Sequence, residues 1–354
     1  MKQPLTKRGT IAEIAAQAGV SIPTVSRVLH GRPDVAPETR QRVEQVIKDS
    51  GFIHNRAKQS APKGGIVDML VPGLDTMYSV EIVRGVEEVL ARTGFRLGLS
   101  VSHDSLQLQQ SWMTKILSGT TNGAILVLAY GQTQHFDTLR KHKIPFVVVD
   151  HRGELGSDIP SAGATNWLGA RTATEHLLSL GHRRIAMIAG PVTHRCSLDR
   201  IAGYRVALED AGLPILPAFI RPGTFSHMAG YEQACALLDL PEPPTAIFAG
   251  NDAQALGVYS ALRARGLDIP RDVSVVGFDD ISVASIVTPA LTTVRQPLME
   301  MGRVATTMLL HLIAGEQLDS TRVELTTSLI ERGSCAPWRA DLSLVNPHFL
   351  NRKA

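Results

Sequence analysis

The stretch GVSIPTVSRVLHG, Gly19 to Gly31, carries one arginine and three hydroxyls on a short segment that is otherwise largely apolar. Gly19 is free to take positive φ and so suits a tight turn. Val20 follows as a buried plug, and Ser21 stands where an N-cap belongs. Pro23 falls in the first helical turn, where no backbone donor is lost. With Val25, Val28 and Leu29 on the inward face, Ile22, Pro23 and Arg27 project outward. Ser21, Thr24 and Ser26 then lie at or near the positive end of the helix. Such a helix offers base-edge readers at its exposed first turns and small hydroxyls for phosphates beside them.

The flanks agree with that reading. Thr10 and Glu13 form a Thr-x-x-Glu capping box opening the helix IAEIAAQA, in which Ile11, Ile14, Ala15 and Ala18 share one face. A third helix, PETRQRVEQVIKDSG from Pro37 to Gly51, turns Val43, Val46 and Ile47 toward the first two. The first 63 residues hold eleven Lys and Arg against five Asp and Glu, while the whole chain carries a formal charge of only +3. A basic head on an acidic body is the electrostatic footprint of a phosphate-backbone binder, although a solvated basic surface has the same composition.

The segment TIAEIAAQAGVSIPTVSRVLHGRPDVAPETRQRVEQVIKDSGFIHNRA resembles the DNA-binding head of the LacI/GalR family of bacterial transcriptional regulators, and the similarity continues to about Cys335. The resemblance implies DNA contacts at Thr10, Ser21, Ile22, Pro23, Thr24, Ser26 and Arg27, and in the following hinge at Asn55 and Arg56. The chain departs from the family in that hinge, whose usual pattern is Asn-x-x-Ala-Arg-x-Leu with the Leu wedged into the minor groove. Here NRAKQSAPKGG puts Lys58 at the small-residue position, Ala61 at the Leu position and Pro62 after it.

At 354 residues and 44% hydrophobic content, with mean hydropathy +0.04, the chain is long enough for two or three units with real cores. Its longest apolar runs, GAILVLA and IPFVVVD, are strand-sized rather than membrane-sized. The N-terminus lacks the apolar core and cleavage site of a secretory signal, so a cytoplasmic protein without a membrane partner is expected. Cys196, Cys235 and Cys335 are widely spaced and odd in number, which fits free thiols better than a disulfide framework or a metal site.

Beyond Lys63, GIVDMLVP, FRLGLSVS, GAILVLA and PFVVVD alternate with amphipathic helices, and a second βα series follows through RRIAMIAG, TAIFAG and VSVVGFDD. The chain then returns toward the first series near LTTVRQPLMEMGRVATTMLLHLIAGE. The expected fold is α/β. A three-helix helix-turn-helix head and hinge occupies 1–62, and a two-lobed, periplasmic-binding-protein-like effector domain with doubly wound parallel sheets occupies 63–340. A tail occupies 341–354. The lobes should face each other across a cleft at their strand C-termini.

The GxSxG, HExxH, Walker A and GxGxxG patterns do not occur, and no His or Cys lies at metal-ligand spacing beside the carboxylates of AGND and GFDD. The sequence therefore calls for no catalytic residue, metal or cofactor. Carboxylates, amides and an Arg converging with an aromatic face suit a polyhydroxylated ligand. The family resemblance carries effector contacts onto Arg200, Phe225, Asn251, Asp279 and Gln296. It places Tyr78, Ser79 and Asp150 on the other lobe, and His194 and Cys196 near further contacts. Each has a plainer alternative. Arg200 can pair with Asp199 or a surface acid, Phe225 can be core, Asp252 and Asp280 can be helix caps, and Trp167 can be packing. The expectation is a homodimeric repressor on a near-palindromic double-stranded operator, controlled by a small-molecule effector, a sugar or oligosaccharide. SAGATNWLGARTATEHLLSLGHRRIAMIAGP with AGNDAQALGVY resembles regulators of plant-oligosaccharide uptake. A purine- or nucleoside-responsive regulator and a sugar-binding transport protein are the alternatives, with an enzyme on the same scaffold third.

Overall fold

The computed structural model describes residues 11–29, 35–49, 64–74, 77–130 and 133–338. Its contacts divide the chain into two compact units, Met1–Ala61 and Pro62–Ala354. In the first unit, α1 (Ile11–Ala18), α2 (Ile22–Leu29) and α3 (Pro37–Asp49) enclose a small core of Ile14, Ala15, Ala18, Val25, Val28 and Val43. Val20, Val46 and Ile47 pack against that core, as their spacing predicts. Gly19 takes φ +64 and ends α1, a conformation that would strain any residue with a Cβ. The Ser21 carbonyl accepts from the Thr24 and Val25 amides at 2.9 and 3.2 Å. Its hydroxyl meets the Thr24 hydroxyl at 2.9 Å instead of a backbone donor. Thr10, the hinge residues Asn55, Arg56, Lys58 and Ala61, and the tail from residue 339 lie outside the described residues, as do the side chains of Ile11, Ser26 and Leu29.

The second unit begins with β1 (Gly65–Val71), α4 (Met77–Leu90), β2 (Phe95–Val101), α5 (Leu106–Leu117), β3 (Thr121–Tyr130), α6 (Thr133–Lys141), β4 (Phe146–Arg152) and β5 (Ser161–Ala164). The chain crosses to a second lobe with α7 (Asn166–Ser179), β6 (Ile185–Ala189), α8 (Arg195–Asp210), β7 (Ile220–Pro222), α9 (His227–Leu238), β8 (Ala246–Ala249), α10 (Asp252–Ala264), β9 (Ser274–Asp279), α11 (Val283–Ile286) and β10 (Thr292–Arg295). It ends with α12 (Leu298–Ile313), β11 (Arg322–Leu325) and β12 (Ser328–Ile330). The first sheet runs β2-β1-β3-β4-β5-β11 and is parallel throughout. The second repeats the order as β7-β6-β8-β9-β10-β12, with β12 antiparallel at its edge.

Continuous apolar strands such as β6, buried at all five positions, require cover on both faces, and the helices supply it. In the first lobe α4 and α12 close one core through Ile82, Val86, Met301 and Leu309, and α5 and α6 close the other through Trp112, Ile116, Phe136 and Leu139. In the second lobe α9 and α10 cover one face and α7 and α8 the other. The segment from Leu291 to Glu316 is divided: β10 joins the second sheet between β9 and β12, and only α12 packs on the first lobe. Three crossings therefore join the lobes, after β5, after β10 and between β11 and β12. In each sheet the order reverses beside the first strand of the lobe, between β1 and β3 and between β6 and β8. Ligands of open α/β sheets bind outside the strand C-termini at such points.

Candidate functional site

A cavity of about 480 Å³ lies at those strand ends, within the ~300–1,000 Å³ typical of small-molecule sites. Nine of the ten residues expected to meet an effector line it: Tyr78, Ser79 and Asp150 from the first lobe, and His194, Cys196, Arg200, Phe225, Asn251 and Asp279 from the second. Gln296 does not line it. It follows β10 at the second crossing, and its Nε2 donates to Asp279 Oδ1 at 2.7 Å, so it holds a lining residue instead.

The central group is Arg200 of α8, only 3% exposed. Its Nε donates to Asn166 Oδ1 at 2.9 Å and its Nη1 to the Gly250 carbonyl, while Nη2 stands 3.7 Å from Asp279 Oδ1. The guanidinium lies 3.7 Å from the Phe278 ring centroid and 5.6 Å from that of Phe225, geometry that favours cation–π attraction. Asp199 pairs with Arg195 at 2.9 Å, which leaves the buried carboxylate to Arg200. Asn166 and Gln296 both sit at crossings between the lobes, so each of the two central charges is tied to a crossing.

Burial raises the Asp279 carboxyl to about 6 against the opposing pull of Arg200 and Gln296. Asp150 accepts from the Tyr78 hydroxyl at 2.6 Å, yet burial still raises its pKa. Burial, then the Asp150 charge, raises the Tyr78 phenol further. Cys196 is buried and its thiol is pushed up to about 12, so it stays protonated. All three cysteines are free. Phe225 has its ring against Gly190, where an added Cβ would come within 2.1 Å of it. Asn251 caps α10, its Oδ1 accepting from the Gln254 amide at 2.9 Å and its Nδ2 donating to the Phe225 carbonyl at 3.3 Å.

The other candidate carboxylates have structural partners. Asp252 is fully buried and takes the Thr293 hydroxyl at 2.6 Å and the Ile281 amide at 2.9 Å. Asp280 pairs with Arg295 at 2.6 Å and Arg332 at 2.7 Å. Neither lines the cavity, and neither does Trp167, which lies under the Arg171 guanidinium. In the first unit, Ile22, Pro23 and Arg27 are exposed on α2, Ser21 is exposed just before it, and Thr24 is half-buried.

Residues 10–55 match the model for bacterial regulatory proteins of the lacI family, and residues 174–335 match a periplasmic binding protein-like domain. Catabolite control protein A of Priestia megaterium is 32% identical over 322 residues, covering 89% of this chain and 96% of that protein. The chain belongs to the LacI family. The ribose operon repressor of Escherichia coli K12 is 33% identical over 328 residues, covering 92% of this LacI-family chain and 99% of the repressor. A solved complex of the transcriptional regulator CelR with cellobiose superposes with a TM-score of 0.71 at 32% identity, covering 92% of this chain and all of that one. As a LacI-family member the protein is a DNA-binding transcriptional regulator and not an enzyme. Its head and two-lobed body have the family's fold.

Sequence reasoning missed two charged residues of this LacI-family cavity, Asp104 and Arg152. Arg152 ends β4 and is 4% exposed; its Nη2 reaches Asp104 Oδ1 at 2.5 Å, on the loop after β2. The signal was present, since Arg152 lies two residues beyond Asp150 and alternate strand residues share a face. Among the described residues no group of His, Cys, Asp and Glu is arranged to hold a metal ion, and no helix is long and apolar enough to cross a membrane.

Proposed function

We propose that the protein is a cytoplasmic homodimeric repressor that binds a near-palindromic operator through α2 and is controlled by a sugar or oligosaccharide in the cavity between its lobes. The observation that carries the effector reading is the pairing of buried donors and acceptors around an aromatic face. Arg200 and Asn251 donate, Asp279 and Asp150 accept, and Phe225 offers a flat apolar surface. Adjacent ring hydroxyls need alternating donors and acceptors, and the C–H face of a sugar needs an apolar plate. Relatives at this level of identity include a protein named for the ribose operon and one solved with cellobiose, which supports the same class. Dimerisation follows from the size of the head, because one short recognition helix makes too few base contacts for tight specific binding.

The test is operator titration by fluorescence anisotropy, with and without mono- and oligosaccharides, alongside nucleosides. A saccharide that weakens operator binding supports the reading. A response to nucleosides alone would replace it with a nucleoside-responsive regulator, and tighter operator binding with sugar would make the sugar a corepressor.

A further inference from the structure

We propose that Asp104, Arg152 and His194 form a second sugar subsite, so that the effector is a neutral saccharide of at least two rings. The inference rests on the sugar reading above and deepens it. The cavity holds two polar groups rather than one. The first is Arg200 with Asp279 and Asn251; the second is the Asp104–Arg152 ion pair with His194 beside it.

Phe225 neighbours both, its ring 5.7 Å from the His194 ring and 5.6 Å from the Arg200 guanidinium. Asp150, which accepts from Tyr78 in the first group, and Arg152 both line the cavity two residues apart on β4. Strand rise separates them by about 7 Å, a distance of the order of one sugar ring.

The second group is built rather than incidental. Arg152 is buried at the wall, whereas Asp104 is 55% exposed, so the pair runs from the interior toward solvent. His103 and Asp104 take φ of 47° and 55°, a left-handed turn that presents the carboxylate in a fixed place. Arg152 and His194 also form a β-bridge across the lobes, and the Gly153 amide donates to the Thr193 carbonyl at 3.0 Å. His194 is 6% exposed, lines the cavity, and its Nδ1 has no hydrogen-bond partner within the protein. Burial and the nearby Arg152 charge push this imidazole down to about 4, so it is neutral near pH 7. A buried imidazole nitrogen left unpaired is costly unless a ligand meets it.

The charge pattern selects a neutral ring. Asp104 already neutralises Arg152, and Asp150 lies nearby, so a ligand carboxylate at Arg152 would meet two like charges. A vicinal diol meets no such repulsion: one hydroxyl donates to Asp104 and its neighbour accepts from Arg152.

The test is calorimetric binding to the full chain of glucose, xylose and galactose against cellobiose, maltose, xylobiose, lactose and a glucuronate-bearing disaccharide. We expect at least one neutral disaccharide to bind about tenfold or more tighter than its own monosaccharide. In Asp104→Ala and Arg152→Met that advantage should shrink to about twofold, because disaccharide affinity falls more than monosaccharide affinity. Asp104 is exposed enough that its variant will fold, which a thermal melt checks. Equal affinity for mono- and disaccharides, equal loss of both in Asp104→Ala, or preference for the acidic disaccharide overturns the subsite and leaves the sugar reading standing. Binding of no saccharide at all removes both.

Discussion

Asp279 lies where the chain leaves β9 with φ 112, a backbone angle that a residue with a side chain adopts only under constraint. It is not alone. Of seven described non-glycine residues at positive φ, five (His103, Asp104, Leu128, Asp150 and Asp279) line the cavity, so local strain is concentrated where ligand would sit. The carboxyl of Asp279, raised by burial to about 6, accepts effector hydroxyls most strongly when ionised, because charge-assisted hydrogen bonds are the stronger ones. Effector affinity should therefore be constant above about pH 7 and fall as pH drops through 6, because protonation removes the charge and turns one acceptor oxygen into a donor. Asp279→Asn keeps the size and the polar contact to Gln296 but lacks the charge. It should lower effector affinity about tenfold or more, flatten that pH profile and leave operator binding intact, as read by calorimetry and anisotropy. Loss of operator binding in a folded Asp279→Asn protein would contradict the assignment. The place of Arg200 and Asp279 in the cavity wall was legible in the sequence because motif resemblance marked them. Arg152 was passed over although its spacing from Asp150 put it on the same strand face, because an Arg near a strand end reads as a surface charge until its burial is known.

Secondary elements were legible where their pattern was long. Strands β1, β3, β4, β6, β8 and β9 announce themselves as continuous apolar runs, and α12 by an apolar stripe over sixteen residues. The short strand β5 and the edge strands β11 and β12 did not, since SAGA, RVEL and SLI are three or four residues long and owe their conformation to sheet neighbours. The third crossing between lobes was missed with them. Two predictions belong to this scale. Arg27 is exposed on α2, so Arg27→Ala should cost roughly 1–3 kcal/mol on a cognate operator and much less on random DNA. Equal loss on both would reduce Arg27 to a phosphate contact. At the end of β6, Gly190→Ala would drive a methyl into the Phe225 ring. Overpacking of this kind costs about 1–3 kcal/mol, and here displacement of the ring is the easiest relief, so effector affinity should fall more than thermal stability does. A variant with unchanged effector Kd would show that Phe225 is not the ligand's platform.

At the scale of the whole molecule, the question is how a ligand in the cavity changes what the head does. Arg200 binds Asn166 at the first crossing, and Asp279 binds Gln296 at the second. At the third, the Thr165 and Leu325–Ser328 segments run together, the Thr165 amide donating to the Leu325 carbonyl at 2.9 Å and the Thr327 amide to Thr165 Oγ1 at 3.0 Å. A ligand that draws on Arg200 and Asp279 while touching Tyr78 and Asp150 therefore acts on both lobes and on the segments that join them. Its contacts must differ between lobe arrangements, and that difference is what shifts a two-state equilibrium. The predicted coupling is about 1–3 kcal/mol in operator affinity, and by linkage saturating operator must alter effector affinity by the same factor. The hinge sets where in that range it falls. With Ala61 in place of the family's wedging Leu, less DNA deformation is available to be gained or lost, so the coupling should lie near 1 kcal/mol and rise in Ala61→Leu. Anisotropy titrations of operator with and without effector, and calorimetry of effector with and without operator, measure the two sides of the cycle. Gln296→Leu, which cuts the link between Asp279 and the second crossing, should reduce the coupling while changing effector affinity less. If Gln296→Leu weakens effector binding and leaves the coupling whole, the second crossing is not the route, and Gln296 acts only by holding the Asp279 carboxylate in place.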